Sequence, residues 1–130
     1  MKSAIFSTIS LLAMAVPAAM AAPAAPAAGP VCETSDGSPT VSAAKWAGAY
    51  WGADAGRPSL ACQTDSHGGC ITVATAYGAS VNFCSEQAAC KTVGELQDRI
   101  VDLCDRCEAN GKVGGKWDFG DGSNLAIFHS

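Results

Sequence analysis

Cys104 and Cys107 form a C-x-x-C motif in the stretch LCDRCEANGKVGG. Such a pair can bind zinc with a second pair of ligands, act as a redox couple, or supply halves of two disulfide bonds. A redox pair becomes reactive at a helix N-terminus, where the helix dipole stabilises a thiolate, but this motif lies near the C-terminal end of a predicted helix. A zinc site would draw its other ligands from Cys62, His67 and Cys70.

The start of the chain indicates the compartment in which these cysteines occur. Lys2 is followed by an uncharged apolar run from Ala4 to Val16 and then by small residues, which is the pattern of a secretory signal peptide. We predict a signal peptide over residues 1–21, an extended Ala/Pro-rich spacer over residues 22–30, and a single disulfide-rich domain over residues 31–130. The apolar run is too short to span a bilayer, so we expect a secreted, extracellular protein.

All seven cysteines fall within the predicted domain. They are Cys32, Cys62, Cys70, Cys84, Cys90, Cys104 and Cys107. Disulfides commonly stabilise small secreted domains, because their hydrophobic cores barely offset chain entropy. We therefore predict that Cys104 and Cys107 are halves of two disulfides that tie one helix to other segments, and that no metal or cofactor is bound. Because seven is odd, one thiol is free or links two chains in a disulfide-bonded dimer.

The charge balance excludes one class of partner. The full chain has a net charge of −4, and removing Lys2 with the signal peptide makes it −5. Nucleic acids and anionic lipid surfaces attract proteins with a basic field. We therefore expect no nucleic-acid partner.

The residues that most often perform catalysis form no recognisable constellation. His67 lies in a predicted loop, His129 lies next to the C-terminus, and no G-x-S-x-G signature is present. Asp118 and Asp121 flank a predicted turn, and turn chemistry explains Asp121-Gly122. We predict no catalytic residues. A hydrolase with scattered Asp/Glu residues would need a cleft with two carboxyl groups, one of raised pKa.

Three aromatic residues are concentrated in AKWAGAYWGADAG: Trp46, Tyr50 and Trp51. Either these side chains fill the core beneath a sheet, or they are partly exposed and bind a glycan or a protein. Together with the loop residue His67 they are the candidate partner-binding residues.

One helix is predicted strongly. Thr92 and Glu95 have the spacing of a capping box, and Asn110-Gly111 supplies a C-terminal stop. Between them, apolar residues recur at three- and four-residue steps, which predicts one buried face. They are Val93, Leu96, Ile100, Leu103, Cys104 and Cys107. The charged residues Asp98, Arg99, Asp102, Asp105 and Arg106 are expected mostly on the solvated side.

The stretch CITVATAYGASVNFC is rich in β-branched and aromatic residues and predicts a hairpin. A three-residue loop over residues 76–78 would place Cys70 opposite Cys84, within bridging distance. The same register pairs Ile71 with Phe83, Val73 with Val81, and Thr75 with Ala79. A single long strand with a bulge at Gly78 is the alternative, and it would hold the two cysteines too far apart to bond.

The remaining patterns complete the predicted fold. KWDFGDGSNLAIFHS indicates a second hairpin. Ser38-Pro39 is typical of a helix start, and residues 53–69 are expected to be mostly loop with a strand near Leu60. We predict an α+β fold, a small disulfide-stapled sandwich in which one antiparallel sheet of two hairpins is covered on one face by about two helices.

The disulfide pairing is constrained only in part. The hairpin register favours Cys70 with Cys84. Cys32 is expected to bond to Cys104 or Cys107, and Cys62 to Cys90 or to the remaining helix cysteine. The free thiol is not assigned.

From Cys70 to Ser130 the sequence resembles the channel-blocking killer toxins encoded by smut-fungus viruses and their relatives in other fungi. The shared features are a strand ending in Asn82-x-Cys84, the near cysteine Cys90 opening a helix, the C-x-x-C closing it, and a final strand of alternating apolar residues. GKVGG is also similar to a segment of necrosis-inducing effectors of plant-pathogenic fungi. The resemblance implies an α/β sandwich that acts outside the cell on a membrane protein of a competitor or host.

The chain departs from the toxins where they carry basic residues, since residues 66–69 read Ser-His-Gly-Gly. A shared fold does not transfer an activity by itself. We expect a non-enzymatic secreted effector or killer-toxin-like protein whose partner is an extracellular protein, a membrane protein or a glycan of a host or competitor cell. The alternatives are a secreted hydrolase and a wall-associated structural protein that cross-links through its free thiol.

Overall fold

The computed structural model describes residues 28–53 and 59–130, and for residues 50–53 it describes the backbone only. The described chain contains the helices α1 (Val41–Ala53) and α2 (Val93–Cys107). The strands are β1 (Gly29–Cys32), β2 (Leu60–Gln63), β3 (Gly69–Ala76), β4 (Ala79–Ser85), β5 (Ala89–Thr92), β6 (Gly115–Asp118) and β7 (Ser123–His129). The predicted signal peptide and residues 22–27 of the predicted spacer lie outside the described residues.

Five strands form an antiparallel sheet in the order β1-β6-β7-β4-β3. Because side chains alternate between the two faces of a strand, one face carries the apolar residues of the core. At its centre lie Val81, Phe83, Leu125 and Ile127, each at most 2% exposed. Both helices pack against this core. The predicted class, an α+β disulfide-rich fold with antiparallel strands and two helices, is confirmed.

Helix α2 begins where the sequence predicts. The Thr92 hydroxyl accepts a hydrogen bond from the Glu95 N–H at 3.2 Å, which satisfies one of the free N–H groups of the first turn. All six residues of the predicted apolar stripe are buried. The helix ends at Cys107, earlier than predicted, because Asn110 and Gly111 adopt positive φ angles and form a two-residue turn of their own.

Helix α1 begins two residues later than predicted. The Thr40 hydroxyl, rather than that of Ser38, accepts a hydrogen bond from a first-turn N–H, at 3.1 Å. The Ser38 hydroxyl instead accepts a hydrogen bond from the Ser35 N–H at 2.9 Å and closes the preceding turn. Ser38-Pro39 therefore belongs to a turn and not to the helix start.

Small residues on one face of α1 allow close packing against α2. Ala44 and Ala47 are fully buried. A Cβ atom added to Gly48 would lie 3.3 Å from Cδ1 of Ile100. The Gln97 side-chain amide donates a hydrogen bond to the Gly48 carbonyl at 2.9 Å. This close packing directs the opposite face of α1, which includes Trp46, towards solvent.

The β3–β4 hairpin follows the predicted register at its open end only. Residues 70–72 pair as predicted, with Cys70 opposite Cys84. Val73 is then the extra residue of a β-bulge, so Ala74 lies opposite Val81. The predicted pairs beyond Thr72 are wrong because the turn has two residues rather than three. The β-bulge at Val73 compensates for this difference, so the strands return to the predicted register at Thr72.

The β6–β7 hairpin lies where the sequence predicts a second hairpin, but β1 was not predicted. β1 pairs with β6 over residues 29–32 and therefore begins inside the predicted spacer. Gly115 makes this pairing possible: its φ is +141°, and a Cβ atom there would overlap the Val31 carbonyl oxygen. A four-residue run that contains Pro30 gives little indication of a strand in the sequence. β1 is a strand because it pairs with β6.

β2 and β5 form a separate two-stranded antiparallel sheet that the sequence indicated only at Leu60. The pairing places Cys62 opposite Cys90. Gln63, 2% exposed, fixes the following loop, since its side-chain amide donates to the Asp65 carbonyl at 3.0 Å. Neither described helix is long and apolar enough to cross a membrane.

Candidate functional site

Three disulfides cross-link the domain. They are Cys70–Cys84 between β3 and β4, Cys62–Cys90 between β2 and β5, and Cys32–Cys107 between β1 and the end of α2. The first is the pair that the hairpin register favours, and the other two select one of the alternatives that the sequence left open. Intrachain disulfides of this kind are consistent with an extracellular protein.

Cys104 is the cysteine without a disulfide partner. The prediction that both C-x-x-C cysteines are half-cystines is therefore correct for Cys107 and wrong for Cys104. Both cysteines are buried, so the reason is their position: β1 brings Cys32 beside Cys107, with the two Cα atoms 5.1 Å apart, whereas Cys104 lies one turn earlier in α2 without a cysteine partner. No three His, Cys, Asp or Glu side chains of residues 28–53 and 59–130 are grouped to hold a metal ion.

Burial also determines the chemistry of the Cys104 thiol. Desolvation raises its pKa to about 11, although the nearby Lys45 ammonium acts in the opposite direction. A thiol with so high a pKa is almost entirely protonated at neutral pH and is a poor nucleophile. Cys104 forms part of the wall of a cavity of about 410 Å³ together with Lys45, Asp105 and Glu108.

Two aromatic side chains from different elements meet on the surface. Trp46 on α1 is 48% exposed, and Tyr77 in the β3–β4 turn is 74% exposed. Their ring centroids are 6.3 Å apart and their planes are inclined by 67°, an edge-to-face arrangement. We call this pair the aromatic corner. Trp46 is therefore half-exposed rather than enclosed in the core, while the side chains of Tyr50 and Trp51 lie outside the described residues.

Tyr77 occupies a backbone position that suits other residues better. Tyr77 and Gly78 form the two-residue turn, with φ angles of 49° and 87°. Two-residue hairpin turns of this kind favour Asn, Asp or Gly at the first position. A left-handed conformation costs an ordinary residue roughly 1–2 kcal/mol. A side chain so exposed recovers little of that by burial, and strained exposed residues are concentrated at functional sites.

A cleft of about 450 Å³ runs along the outward face of α1. Its described lining residues lie on α1 at three- and four-residue steps: Val41, Ser42, Lys45, Trp46 and Ala49. Ser42 and Lys45 supply its polar groups. Because Val41 and Lys45 also line the cavity beside Cys104, the two cavities adjoin.

His67 does not belong to this site. It precedes β3 whereas Tyr77 follows it, so the two lie at opposite ends of the strand, roughly 25 Å apart at ~3.3 Å per residue. The His67 side chain is 94% exposed, and the backbone N–H of His67 donates a hydrogen bond to Asp65 Oδ1 at 2.8 Å. From the sequence, Tyr77 is predicted only as a residue of the β3–β4 hairpin loop and not as a binding residue. The sequence signal for it was a large aromatic residue directly before the turn glycine.

A third cavity, which is polar and has a volume of about 390 Å³, lies at the β6–β7 turn and is lined in part by Glu86, Asp118 and Asp121. The pKa of Asp121 is lowered to about 2, chiefly by the Lys91 ammonium 2.8 Å away and also by the Ser123 hydroxyl. Asp121 also accepts a hydrogen bond from the Ser123 N–H at 3.0 Å and so closes the turn. These contacts give Asp121 a structural role.

Basic residues of α2 cover an aromatic residue of β6. The guanidinium of Arg99 lies 4.7 Å from the Trp117 ring centroid, and that of Arg106 lies 5.8 Å from it. Arg99 also forms an ion pair with Asp102 at 2.8 Å. The expected solvated face of α2 is therefore partly a packing face, on which Arg stems and guanidinium groups shield Trp117.

Comparison of the chain with protein-family models, with curated proteins and with solved structures finds no match in any of the three. The resemblance to the killer toxins and to the necrosis-inducing effectors therefore stays a prediction from the residues.

Proposed function

We propose that the protein is a secreted effector or killer-toxin-like molecule that binds a partner on the surface of a host or competitor cell through the aromatic corner. The observation that carries this proposal is the contact between two exposed rings, Trp46 and Tyr77, which come from different elements. Trp and Tyr are the side chains most enriched among residues that dominate binding energy. A tyrosine held at a positive φ angle adds to the argument, since folding alone would favour another residue there.

The scaffold around the corner suits a binding function. Cys70–Cys84 bridges the hairpin whose turn presents Tyr77, and Gly48 brings α1, with Trp46, close to α2. Rigid presentation lowers the entropy lost when a partner binds. An oxidised, cross-linked domain also suits a protein that works outside the cell.

Neither alternative function is favoured by a specific observation. A hydrolase needs a general acid with a raised pKa, whereas the pKa of Asp121 in the acidic cavity is lowered. A protein that cross-links a wall through its odd thiol would need to expose Cys104, which is 2% exposed. The binding function is therefore the better supported hypothesis.

The test is cell-surface binding by the mature protein with a fluorescent domain fused at its N-terminus. Plant cells and cells of competing fungi are incubated with the fusion, and bound fluorescence is measured by flow cytometry, together with necrosis or growth inhibition. We expect binding to at least one cell type, with Trp46→Ala and Tyr77→Ala each weakening it roughly tenfold or more.

Val101→Ala is the matched control, because Val101 is 46% exposed on α2 and its truncation removes apolar surface away from the corner. It should bind as the unsubstituted protein does. Binding that survives both corner substitutions unchanged would contradict the proposal, as would the absence of binding to any cell tested.

A further inference from the structure

The corner and its cleft also indicate the chemical class of the partner, an inference that rests on the proposed function. We propose that the site binds a neutral glycan built from β-linked hexopyranose units with equatorial substituents. Three features of the site carry the proposal: the small area of the two rings, the polar groups beside them, and the charge of the surroundings.

The apolar area of the corner is too small for a typical protein interface. Because Trp46 is 48% exposed and Tyr77 is 74% exposed, the two side chains together present roughly 200–300 Å² of accessible surface. A stable protein partner usually covers about 800 Å² of total surface, a little more than half of it apolar. The other exposed large apolar side chains of the described residues are Val31, Leu60, Val101 and Phe128, and of these Phe128 lies opposite Ser80, at the same end of the sheet as the Tyr77 turn. The described side chains of the corner therefore fit a ligand that makes a compact contact.

A pyranose ring with equatorial substituents has the matching shape and polarity. Its axial C–H groups form an apolar face that is attracted to the negative face of an aromatic ring, while its hydroxyls project sideways. The planes of Trp46 and Tyr77 are inclined by 67°, so neighbouring units of a twisted chain can each meet a ring. Ser42 and Lys45 line the cleft beside Trp46 and can hydrogen-bond to the hydroxyls.

The charges around the cleft favour a neutral polymer over a charged one. The Lys45 ammonium lies in the cleft wall and disfavours a cationic ligand at close range. Asp105 and Glu108 line the adjoining cavity, and the whole chain carries a net charge of −4. A polyanion would therefore be repelled as it approached. A neutral glycan is repelled neither by Lys45 nor by the net negative charge of the protein.

The experiment is isothermal titration of the mature protein with soluble hexasaccharides of β-1,4-glucose, β-1,3-glucose and β-1,4-N-acetylglucosamine. Oligomannose, whose axial hydroxyl interrupts one ring face, and anionic oligogalacturonate are the contrasting ligands. We expect at least one of the three β-linked ligands to bind at least tenfold more tightly than either contrasting ligand.

Tyr77→Asn is the most informative variant. Asn adopts the left-handed conformation readily, so this change should raise the melting temperature while weakening glycan binding about tenfold. Tyr77→Phe keeps the ring and should bind within about threefold of the unsubstituted protein. Trp46→Ala should also weaken binding, and Val101→Ala, which removes exposed apolar surface from α2, should not.

The outcomes separate the ligand class from the proposed function. Loss of glycan binding in a stabilised Tyr77→Asn variant supports the inference. Failure of all β-linked ligands, preference for oligogalacturonate, or binding that is indifferent to both corner residues overturns it. If no glycan binds but corner-dependent cell binding persists and protease treatment of the cells abolishes it, the partner is a protein and the proposed function stands without this ligand.

Discussion

Cys104 shows how burial controls a single reactive group. Its thiol is 2% exposed and its pKa is raised to about 11, so the native fold does not present the odd cysteine to a second chain. We therefore expect a monomer on a non-reducing gel rather than the disulfide-linked dimer that an odd cysteine count allows. The same burial makes stability depend on pH.

Stability should fall above pH 9 because of Cys104. In the unfolded chain the thiol ionises near its ordinary value of 9.0, whereas in the fold it stays protonated until about pH 11. Between these values the unfolded state binds fewer protons, so the free energy of unfolding decreases as pH rises. By pH 10.5 the loss should reach about 2 kcal/mol.

The measurement is urea denaturation of the unsubstituted protein and of Cys104→Ala from pH 8 to pH 10.5. Tyrosine and lysine titrate in both proteins, so the difference between the two pH profiles isolates the thiol. A Cys104→Ala profile as steep as that of the unsubstituted protein would contradict the assigned pKa. As a second readout, iodoacetamide should alkylate Cys104 much more slowly in the folded protein than in urea.

Gly115 is a single position on which the docking of β1 depends. An added Cβ atom would overlap the Val31 carbonyl oxygen, and the φ of +141° already disfavours any side chain. Gly115→Ala should therefore lower the free energy of unfolding by about 3 kcal/mol. Gly94→Ala, at an exposed helical position with no atom within 4 Å of the added Cβ, should change it by no more than about 1 kcal/mol, in the stabilising direction. Thermal unfolding of both variants compares them, and equal melting temperatures would refute the assignment.

At the scale of elements, α2 is the best specified segment because its signals are local. Its cap lies at one end, its apolar stripe has the helical period, and all six predicted stripe residues are buried. The turn at its C-terminal end is equally local, with Asn110 and Gly111 both at positive φ. The error of a few residues at that end arose because the Asn-Gly pair serves both as a helix stop and as a hairpin turn.

Thr92→Ala should test the cap directly. The variant loses the hydrogen bond that the Thr92 hydroxyl accepts from Glu95 N–H, which should lower the free energy of unfolding by about 1 kcal/mol. Thr92→Ser retains a hydroxyl and should change it by less than about 0.5 kcal/mol. Urea denaturation at pH 7 measures both. If the alanine and serine variants are equally stable, the hydroxyl does not act as a cap.

At the scale of the whole molecule, the disulfides differ in the length of chain that they close. Cys32–Cys107 joins residues 75 apart and Cys70–Cys84 joins residues 14 apart. Loop-closure entropy predicts a stabilisation of roughly 4.5 kcal/mol for the first and roughly 3 kcal/mol for the second. The longer link joins β1 to the end of α2, whereas the pairing of β3 with β4 already holds Cys70 opposite Cys84.

Replacing each pair by serine should therefore destabilise the domain unequally. The Cys32→Ser, Cys107→Ser double variant should lose more stability than the Cys70→Ser, Cys84→Ser double variant, as measured by guanidinium denaturation under non-reducing conditions. Mass spectrometry of each variant should show two remaining disulfides and one free thiol. A larger loss from the hairpin pair would show that strain or residual structure outweighs loop entropy.

Patterns among neighbouring residues are enough to predict the cap and buried stripe of α2, the existence of both hairpins, the Cys70–Cys84 pair and the α+β class. These signals act within a turn or a strand pair, so local chemistry is sufficient. Tertiary structure alone decided that β1 adds to the sheet, that Cys104 rather than Cys107 is the free thiol, and that Trp46 meets Tyr77. Each of these depends on contacts between segments far apart in the chain, whose distances no residue pattern specifies.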